Sequence, residues 1–124
     1  MALTLILRGH VYCVEIDAVD PAKRGRTIDK YAVMLQSLSV LHHKNRVSVV
    51  LSTSKTERKR DRWNVFVPAA TCPFWQQDTL ILCGDVWSLG VDQILKKEHG
   101  YCGELPDEVM HKVDVALALS LQLA

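Results

Sequence analysis

The apolar residues of this 124-residue chain fall into short runs, and this spacing is the strongest constraint on its fold. The runs hold about five to eight residues, are rich in β-branched side chains, and are too short for typical helices. The main ones are residues 9–16 (GHVYCVEI), 31–38 (YAVMLQSL), 46–51 (RVSVVL), 63–68 (WNVFVP) and 79–83 (TLILC). Each is predicted to be a strand, as are the shorter stretches 2–7 and 101–105.

The end of the chain has a different period. From residue 107 to residue 121, apolar side chains recur every three or four positions, which indicates an amphipathic helix. Pro106 and the acidic Asp107 and Glu108 favour a helix N-terminus here. Residues 91–97 are predicted to form one or two helical turns. These elements predict a mainly β fold with α, namely an SH3-like small barrel of five to seven strands plus a C-terminal amphipathic helix.

Length and apolar content limit the class of protein. Residues 1–124 fit a single domain, and no apolar run approaches the roughly 20 residues that a membrane helix needs. We therefore expect a cytoplasmic protein that makes no membrane contact. The four cysteines form no CxxC pair and show no ligand spacing with the histidines, so structural thiols are favoured over a disulfide framework or a zinc site. No metal and no cofactor are predicted.

Positive charge is concentrated in the first half of the chain. Residues 1–62 hold 12 Lys or Arg against 6 Asp or Glu, whereas residues 63–124 hold 3 against 8. This asymmetry predicts a basic face for a polyanion such as single-stranded RNA, although two solvated loops would give the same pattern. The basic side chains of the two loops are Lys23, Arg24 and Arg26, and then Lys55, Arg58, Lys59, Arg60 and Arg62.

Three polar or aromatic side chains lie beside the second basic loop. Thr53 and Ser54 end an apolar strand, where their hydroxyls either contact a phosphate or cap a turn, and the sequence favours the cap. Trp63 is the best candidate for stacking on a base, although tryptophans are more often core or interface anchors. The sequence contains no GxSxG, HExxH or phosphate-cradling glycine loop, so no protein nucleophile is predicted.

Several segments, read in order, resemble the MazF/PemK family of toxins from toxin-antitoxin systems. Residues 8–17 (RGHVYCVEID) resemble the opening strand of that family, and residues 31–36 (YAVMLQ) resemble its second strand. Residues 47–54 (VSVVLSTS) resemble the third strand, which ends in Thr-Ser, and residues 103–123 resemble the C-terminal helix. The resemblance covers nearly the whole chain.

The resemblance implies an SH3-like barrel, a homodimer and metal-independent cleavage of single-stranded RNA. It also implies a cognate acidic antitoxin that occupies the RNA groove. In this chemistry the 2′-hydroxyl of the RNA attacks the adjacent phosphate, so the protein supplies a base, an acid and cations. No protein nucleophile is needed, in agreement with the absence of the GxSxG and HExxH motifs from the sequence.

Carried over by position, the family's catalytic arginine falls on Lys30 and its strand-end threonine falls on Thr53, with Ser54 beside it. Lysine keeps the charge but lacks the planar fork that holds a phosphate in fixed geometry. Arg24 or Arg26 from the same loop is expected to substitute, and the two basic loops are expected to form the two walls of the RNA groove.

The sequence also departs from the family pattern at other positions. His10 replaces the usual Asp after the opening Arg-Gly pair, Tyr31 replaces the usual Pro, and residues 85–88 (DVWS) replace a Q-I-R-T-like stretch. These departures leave an alternative function open. In that alternative the chain is a weakened or non-catalytic member that binds a protein target, as gyrase poisons of related fold do, or binds nucleic acid alone.

Overall fold

The structure is a computed structural model and describes residues 5–17, 22, 25–39, 45–57 and 59–123. Eight strands and two helices lie in this part of the chain. In order they are β1 (Leu5–Ile6), β2 (His10–Asp17), β3 (Thr27–Met34), β4 (Leu38–Ser39), β5 (Arg46–Thr53), β6 (Asn64–Val67), β7 (Thr79–Gly90), α1 (Val91–Ile94), β8 (Tyr101–Glu104) and α2 (Asp107–Ser120). No helix in the described part of the chain is long and apolar enough to cross a membrane.

Six strands form one antiparallel sheet in the order β6-β7-β5-β3-β2-β8. The short strands β1 and β4 pair separately. The sheet curls into a half-barrel, and α2 packs on β6 and β7. The predicted class, a mainly β fold with α, is confirmed, and its barrel takes the form of a curled six-stranded sheet.

The central strands of this sheet are buried on both faces. Val33 and Val50 belong to a first core, which α2 covers with residues such as Val113. Their neighbours Ala32 and Val49 belong to a second core on the opposite face, which includes α1. Because successive side chains of a strand alternate between faces, double burial requires nearly continuous apolar sequence, as β3 and β5 have around these residues.

The Arg8-Gly9 pair at the start of the chain anchors the terminal helix. Gly9 has a φ of 88°, a left-handed conformation that favours glycine, and a Cβ there would lie 3.3 Å from Cγ of Met110. Its carbonyl accepts a hydrogen bond of 3.0 Å from the backbone N–H of Leu105, just before α2. Arg8 forms an ion pair with Asp114 on α2. The two segments at the ends of the family resemblance therefore contact each other.

Two strands of the main sheet, β3 and β7, differ most from the prediction. β3 was expected over residues 31–38 but runs from Thr27 to Met34, because its polar first half pairs with β2 from Asp17 to Val14. β7 was expected to end at Cys83 but continues to Gly90, because it keeps pairing with β5 past an irregularity in register. Backbone pairing extends both strands through residues whose side chains are partly exposed, and apolar pattern alone does not detect this.

Cys72 and Cys83 are fully buried in the first core, as structural thiols are expected to be. Burial raises the pKa of the Cys83 thiol to about 12, and the negative charge of Asp114 contributes to the increase. All four cysteines are free thiols.

The packing of α2 predicts a contrast between two valines of that helix. Val113 is fully buried, whereas Val115 is 47% exposed. We expect Val113→Ala to lower the free energy of unfolding by about 2 kcal/mol, because it removes two buried methyl groups and leaves a cavity. Val115→Ala is the matched control and should change it by less than about 0.5 kcal/mol. Urea unfolding of both variants measures the difference, and equal losses would contradict the packing described.

The raised pKa of Cys83 predicts that the free energy of unfolding falls at alkaline pH. Its pKa is higher in the folded chain than the roughly 8.5 of an unfolded cysteine, so folding opposes its ionisation. The stabilising contribution is complete below the unfolded pKa and is lost as the pH rises towards about 12. We expect Cys83→Ala to lose less stability than the parent protein between pH 8 and pH 10.5 in urea unfolding. An unchanged pH dependence would show that the thiol makes no such contribution.

Candidate nucleic-acid interface

A pocket of about 430 Å³ lies where the double burial of β3 and β5 ends. Residues 29–31 of β3 and residues 52–55 at the end of β5 form part of its lining. Residues 74–77 before β7 and Thr79, the first residue of β7, supply the rest. The pocket is therefore built from the polar continuations of the two central strands and one loop.

Strand register brings Lys30 and Thr53 together. Ala32 pairs with Leu51, and the Ser52 hydroxyl donates a hydrogen bond of 3.3 Å to the carbonyl of Tyr31. The paired register of β3 and β5 ends at Ala32 and Leu51, and two residues further along each strand Lys30 and Thr53 both line the pocket. The structure thus places at one pocket the two positions to which the resemblance carries the family's arginine and threonine.

The Thr53 hydroxyl caps the turn that follows β5. Its Oγ1 accepts a hydrogen bond of 3.1 Å from the backbone N–H of Lys55, which is the cap that the sequence favoured. A threonine hydroxyl has one donor and two acceptor sites, so the cap leaves its hydrogen available to a ligand. The turn also brings Ser54 and Lys55 to the pocket. Capping and phosphate contact are therefore compatible roles for Thr53.

An ion pair offsets the negative charge at the edge of the pocket. Asp29 lines the pocket beside Lys30, and its Oδ1 lies 3.1 Å from Nζ of Lys97. The pKa of Lys97 is raised, chiefly by this hydrogen bond. Lys97 also lies 3.8 Å from a carboxylate oxygen of Glu15. With Asp29 paired in this way, Lys30 and Lys55 give the pocket a positive character.

Three aromatic side chains form one side of the pocket. The rings of Tyr31 and Trp75 meet edge to face at 6.2 Å, and those of Phe74 and Trp75 at 5.1 Å. Tyr31 is 39% exposed, and burial raises the pKa of its phenol, with smaller contributions from Cys102, Cys13 and Asp29. Its phenol is therefore a neutral donor at neutral pH.

Trp75 contributes a buried polar group to this side of the pocket. The side chain is only 3% exposed, and its indole Nε1 has no hydrogen-bond partner among the described residues. A buried donor without an acceptor costs about 1–3 kcal/mol. The pocket wall therefore contains one unsatisfied donor, the indole N–H of Trp75.

Sequence analysis selected a different aromatic residue. Trp63 lines a separate hollow with Asp61 and Asp85, away from the pocket. The aromatic and amide residues 74–77 were not selected, although they form a cluster of such side chains in the loop before β7. That cluster was the available signal, but only the tertiary structure shows that the loop faces Lys30 and Thr53.

The predicted basic side chains do not all meet in one place. Lys55 lines the pocket, but Arg26 is an exposed residue just before β3 and is not among the lining side chains. Arg62 lines a different groove beside α2, Lys59 lies 5.3 Å above the ring of Phe66, and Arg60 is exposed. Lys23, Arg24 and Arg58 lie outside the described residues. The second expected wall is thus divided between two grooves.

Two other features bear on the chemistry. His10 lies 4.0 Å from the carboxylate of Glu104 and stacks near Tyr101, so it does not line the pocket. Within the described ranges, no group of three His, Cys, Asp or Glu side chains is arranged to hold a metal ion. The pocket itself offers ammonium groups, hydroxyls and a phenol, which suit a phosphate and its proton transfers.

Comparison with known families identifies the fold. The model of the PemK-like, MazF-like toxin of type II toxin-antitoxin systems matches residues 7–121. The chain belongs to this family. The match includes both halves of the Lys30 and Thr53 pair and the whole of α2. A comparison with curated proteins finds no match.

Solved structures with the same fold come from several bacteria. An endoribonuclease in complex with its cognate antitoxin from a mycobacterial species is 22% identical, with a TM-score of 0.69 over 96% of this chain and 97% of that chain. MazE-MazF from Deinococcus radiodurans is 16% identical, with a TM-score of 0.71 over 96% and 97%. The Mycobacterium tuberculosis toxin MazF-mt6 is 12% identical, with a TM-score of 0.65 over 93% and 98%.

A single glycine controls how closely Phe74 approaches β8. A Cβ on Gly103, whose φ is 154°, would lie 2.6 Å from Cδ1 of Phe74. We expect Gly103→Ala to displace this ring and to lower the free energy of unfolding by about 1–3 kcal/mol. Gly90→Ala is the matched control, because a Cβ there meets nothing within 4 Å. Thermal unfolding compares the two, and equal midpoints would refute the close contact.

Proposed function

We propose that the chain is the toxin of a toxin-antitoxin pair and cuts single-stranded RNA without a metal ion. The observation that carries this proposal is the pocket that joins Lys30, Thr53 and Lys55 in a member of the MazF-like toxin family. Two of the similar structures are described as endoribonucleases, which supports the same activity here.

The proposed reaction uses the RNA as its own nucleophile. The 2′-hydroxyl gives its proton to a base, for which the Asp29 carboxylate in the pocket lining is proposed. The 2′-oxygen attacks the adjacent phosphorus to form a cyclic phosphate, the bond to the 5′-oxygen breaks, and negative charge develops on the phosphate oxygens. Lys30 and Lys55 stabilise that charge, and the hydroxyls of Thr53 and Ser54 donate hydrogen bonds to it. The neutral phenol of Tyr31 lines the same pocket and is the proposed proton donor to the leaving oxygen.

The remaining cations of the first half bind the strand on either side. Arg26 immediately precedes β3 and is proposed to supply a second cation to the reacting phosphate. The other proposed RNA contacts are Lys23, Arg24, Arg58, Lys59, Arg60 and Arg62. Their contribution is to affinity rather than to the chemical step, because exposed Lys and Arg side chains bind phosphates through screened charge.

The proposed partners follow from the family. The similar structures include toxins in complex with a cognate antitoxin, and we propose an acidic antitoxin for this chain because the pocket is positively charged. Residues 1–124 are proposed to act as one toxin domain that forms a homodimer in the cytoplasm. A measured mass in solution near twice the 14.0 kDa of the chain would support the dimer, and a mass near 14.0 kDa would contradict it.

A second candidate function has a specific observation in its favour, the lysine at the arginine position. A weakened or non-catalytic member would bind a protein target in the manner of a gyrase poison, or bind nucleic acid alone. Expression that stops growth, leaves cellular RNA intact and traps a topoisomerase on DNA would support this candidate.

RNA cleavage tests the proposed activity. Purified protein with EDTA should cut a long single-stranded RNA, and Lys30→Ala and Thr53→Ala should each slow cleavage about 100-fold, because each removes a group that binds the developing charge. Lys30→Arg should retain activity, since its planar fork also holds a phosphate. The matched control is Lys96→Ala, an exposed lysine outside the pocket. RNA that stays intact at high protein excess would refute the proposal.

The Asp29–Lys97 ion pair predicts an effect on RNA affinity from outside the pocket. Lys97→Ala leaves the Asp29 carboxylate unpaired beside Lys30, so we expect a several-fold loss of affinity for a short RNA at low salt. Lys96→Ala is again matched, because Lys96 pairs only with Glu15 among the described residues. Fluorescence anisotropy at two salt concentrations measures both. Equal affinities would show that Asp29 does not influence the pocket.

A further inference from the structure

Two half-buried cysteines lie beside each other where β2 pairs with β8. The register of these strands shifts between Val11 and Tyr12, and Cys102 is the extra residue of the resulting bulge. The backbone N–H of Cys13 donates a hydrogen bond of 2.6 Å to the carbonyl of Gly100. The thiol of Cys102 donates to the same carbonyl at 3.3 Å. The two cysteines therefore meet at one oxygen atom.

The surroundings of the two thiols also show that they are neighbours. Burial raises the pKa of Cys102, the charge of the Cys13 thiolate raises it further, and a hydrogen bond from the Cys13 backbone lowers it. Burial and the charge of Asp29 raise the pKa of Cys13, whereas the ammonium group of Lys97 lowers it. A disulfide needs Cα atoms about 4.4–6.8 Å apart, which neighbouring positions of paired strands provide. The pair is thus placed to form one.

The cysteine pair adjoins the pocket of about 430 Å³. Cys13 pairs in register with Tyr31, which lines that pocket. Burial raises the pKa of the Tyr31 phenol, and the charges of Cys102 and Cys13 raise it further, so the three side chains lie near one another. Cys102 immediately precedes Gly103, whose backbone the ring of Phe74 approaches closely, and Phe74 also lines the pocket. A change of geometry at the pair therefore reaches two walls of the pocket.

We propose that Cys13 and Cys102 are a redox-active pair, which closes to a reversible disulfide and thereby changes the wall of the pocket. Both side chains are half-buried, whereas Cys72 and Cys83 are fully buried in the first core and shielded from an oxidant in solution. Disulfides of cytoplasmic proteins are mostly transient and serve catalysis or redox sensing. A disulfide that forms and breaks beside a binding pocket has the second of these roles.

The proposed oxidant is a small-molecule disulfide such as oxidised glutathione. The Cys13 thiolate, which has the ammonium group of Lys97 nearby, attacks one sulfur of the oxidant and releases one glutathione thiolate. The Cys102 thiolate then attacks Sγ of Cys13, the mixed disulfide breaks, and the second glutathione thiolate leaves. The two protons lost by the protein thiols end on the two glutathione molecules. One disulfide is reduced and one is formed, so the exchange is balanced.

Peptide mapping tests whether the disulfide forms. Trypsin cuts after Lys and Arg, which leaves Cys13 in residues 9–23, Cys102 in residues 98–112 and both buried cysteines in residues 63–96. The folded chain is incubated with oxidised glutathione at about pH 8.5, where more thiol is ionised. We expect mass spectrometry of the unreduced digest to show residues 9–23 joined to residues 98–112, and dithiothreitol to separate them.

A matched variant separates the pair from two independent thiols. In Cys102→Ser the exchange should stop at its first step and leave glutathione on Cys13. The pair is overturned if the parent protein carries only such single glutathione adducts, or if its two peptides remain unmodified. It is also overturned if the joined peptides come only from the band of doubled mass on a non-reducing gel, because the link then joins two copies of the chain.

Two-dimensional amide NMR spectra test the effect on the pocket. We expect oxidation to shift the signals of Tyr31 and of residues 74–77, and dithiothreitol to restore them. The combined Cys13→Ser and Cys102→Ser variant is the control, and its spectrum should not respond to oxidised glutathione. Unchanged pocket signals in the cross-linked parent protein would overturn the effect on the pocket. Neither measurement uses RNA, so this proposal and the proposed RNA cleavage are tested independently.

Discussion

The double burial of β3 and β5 is the constraint on which the rest of the structure depends. A strand with apolar side chains on both faces needs a cover on each side, and α2 supplies one while α1 takes part in the other. The Arg8-Gly9 pair is needed because α2 must be held in place over its face. Where the apolar side chains stop, the strands continue as backbone pairs with polar side chains. The candidate site lies at that transition, so the core determines its position.

This arrangement explains what the sequence could and could not predict. Apolar periodicity identified α2 and the buried parts of most strands, since burial is what produces the pattern. It missed the first half of β3 and the second half of β7, because these are held by backbone pairing with β2 and β5 and leave side chains exposed. Thr53 was selected from its place at the end of an apolar run, whereas Lys30 was selected only through the family resemblance, because periodicity alone gives no strand register.

The third side of the pocket could not be predicted in the same way. Residues 74–77 lie in a loop, and the direction of a loop depends on tertiary contacts such as that of Phe74 with Gly103. The same limit applies to the second basic loop. Arg62 and Lys55 are seven positions apart, yet Arg62 lines the groove beside α2 and Lys55 lines the pocket, because β6 begins at Asn64, two residues after Arg62. A run of like charge in sequence is therefore not one surface in the fold.

The indole of Trp75 gives the pocket an optical signal. Tryptophan emission depends on the polarity and hydrogen bonding around the ring, and this ring is buried in the pocket wall with no acceptor for its N–H among the described residues. Trp63 is 42% exposed at another hollow, so its indole emits from contact with water. Trp87, which is partly buried against the second core, also contributes to the emission. With Trp63 and Trp87 replaced by Phe, a ligand that enters beside Tyr31 is expected to change the emission of Trp75, which then reports pocket occupancy without an attached dye.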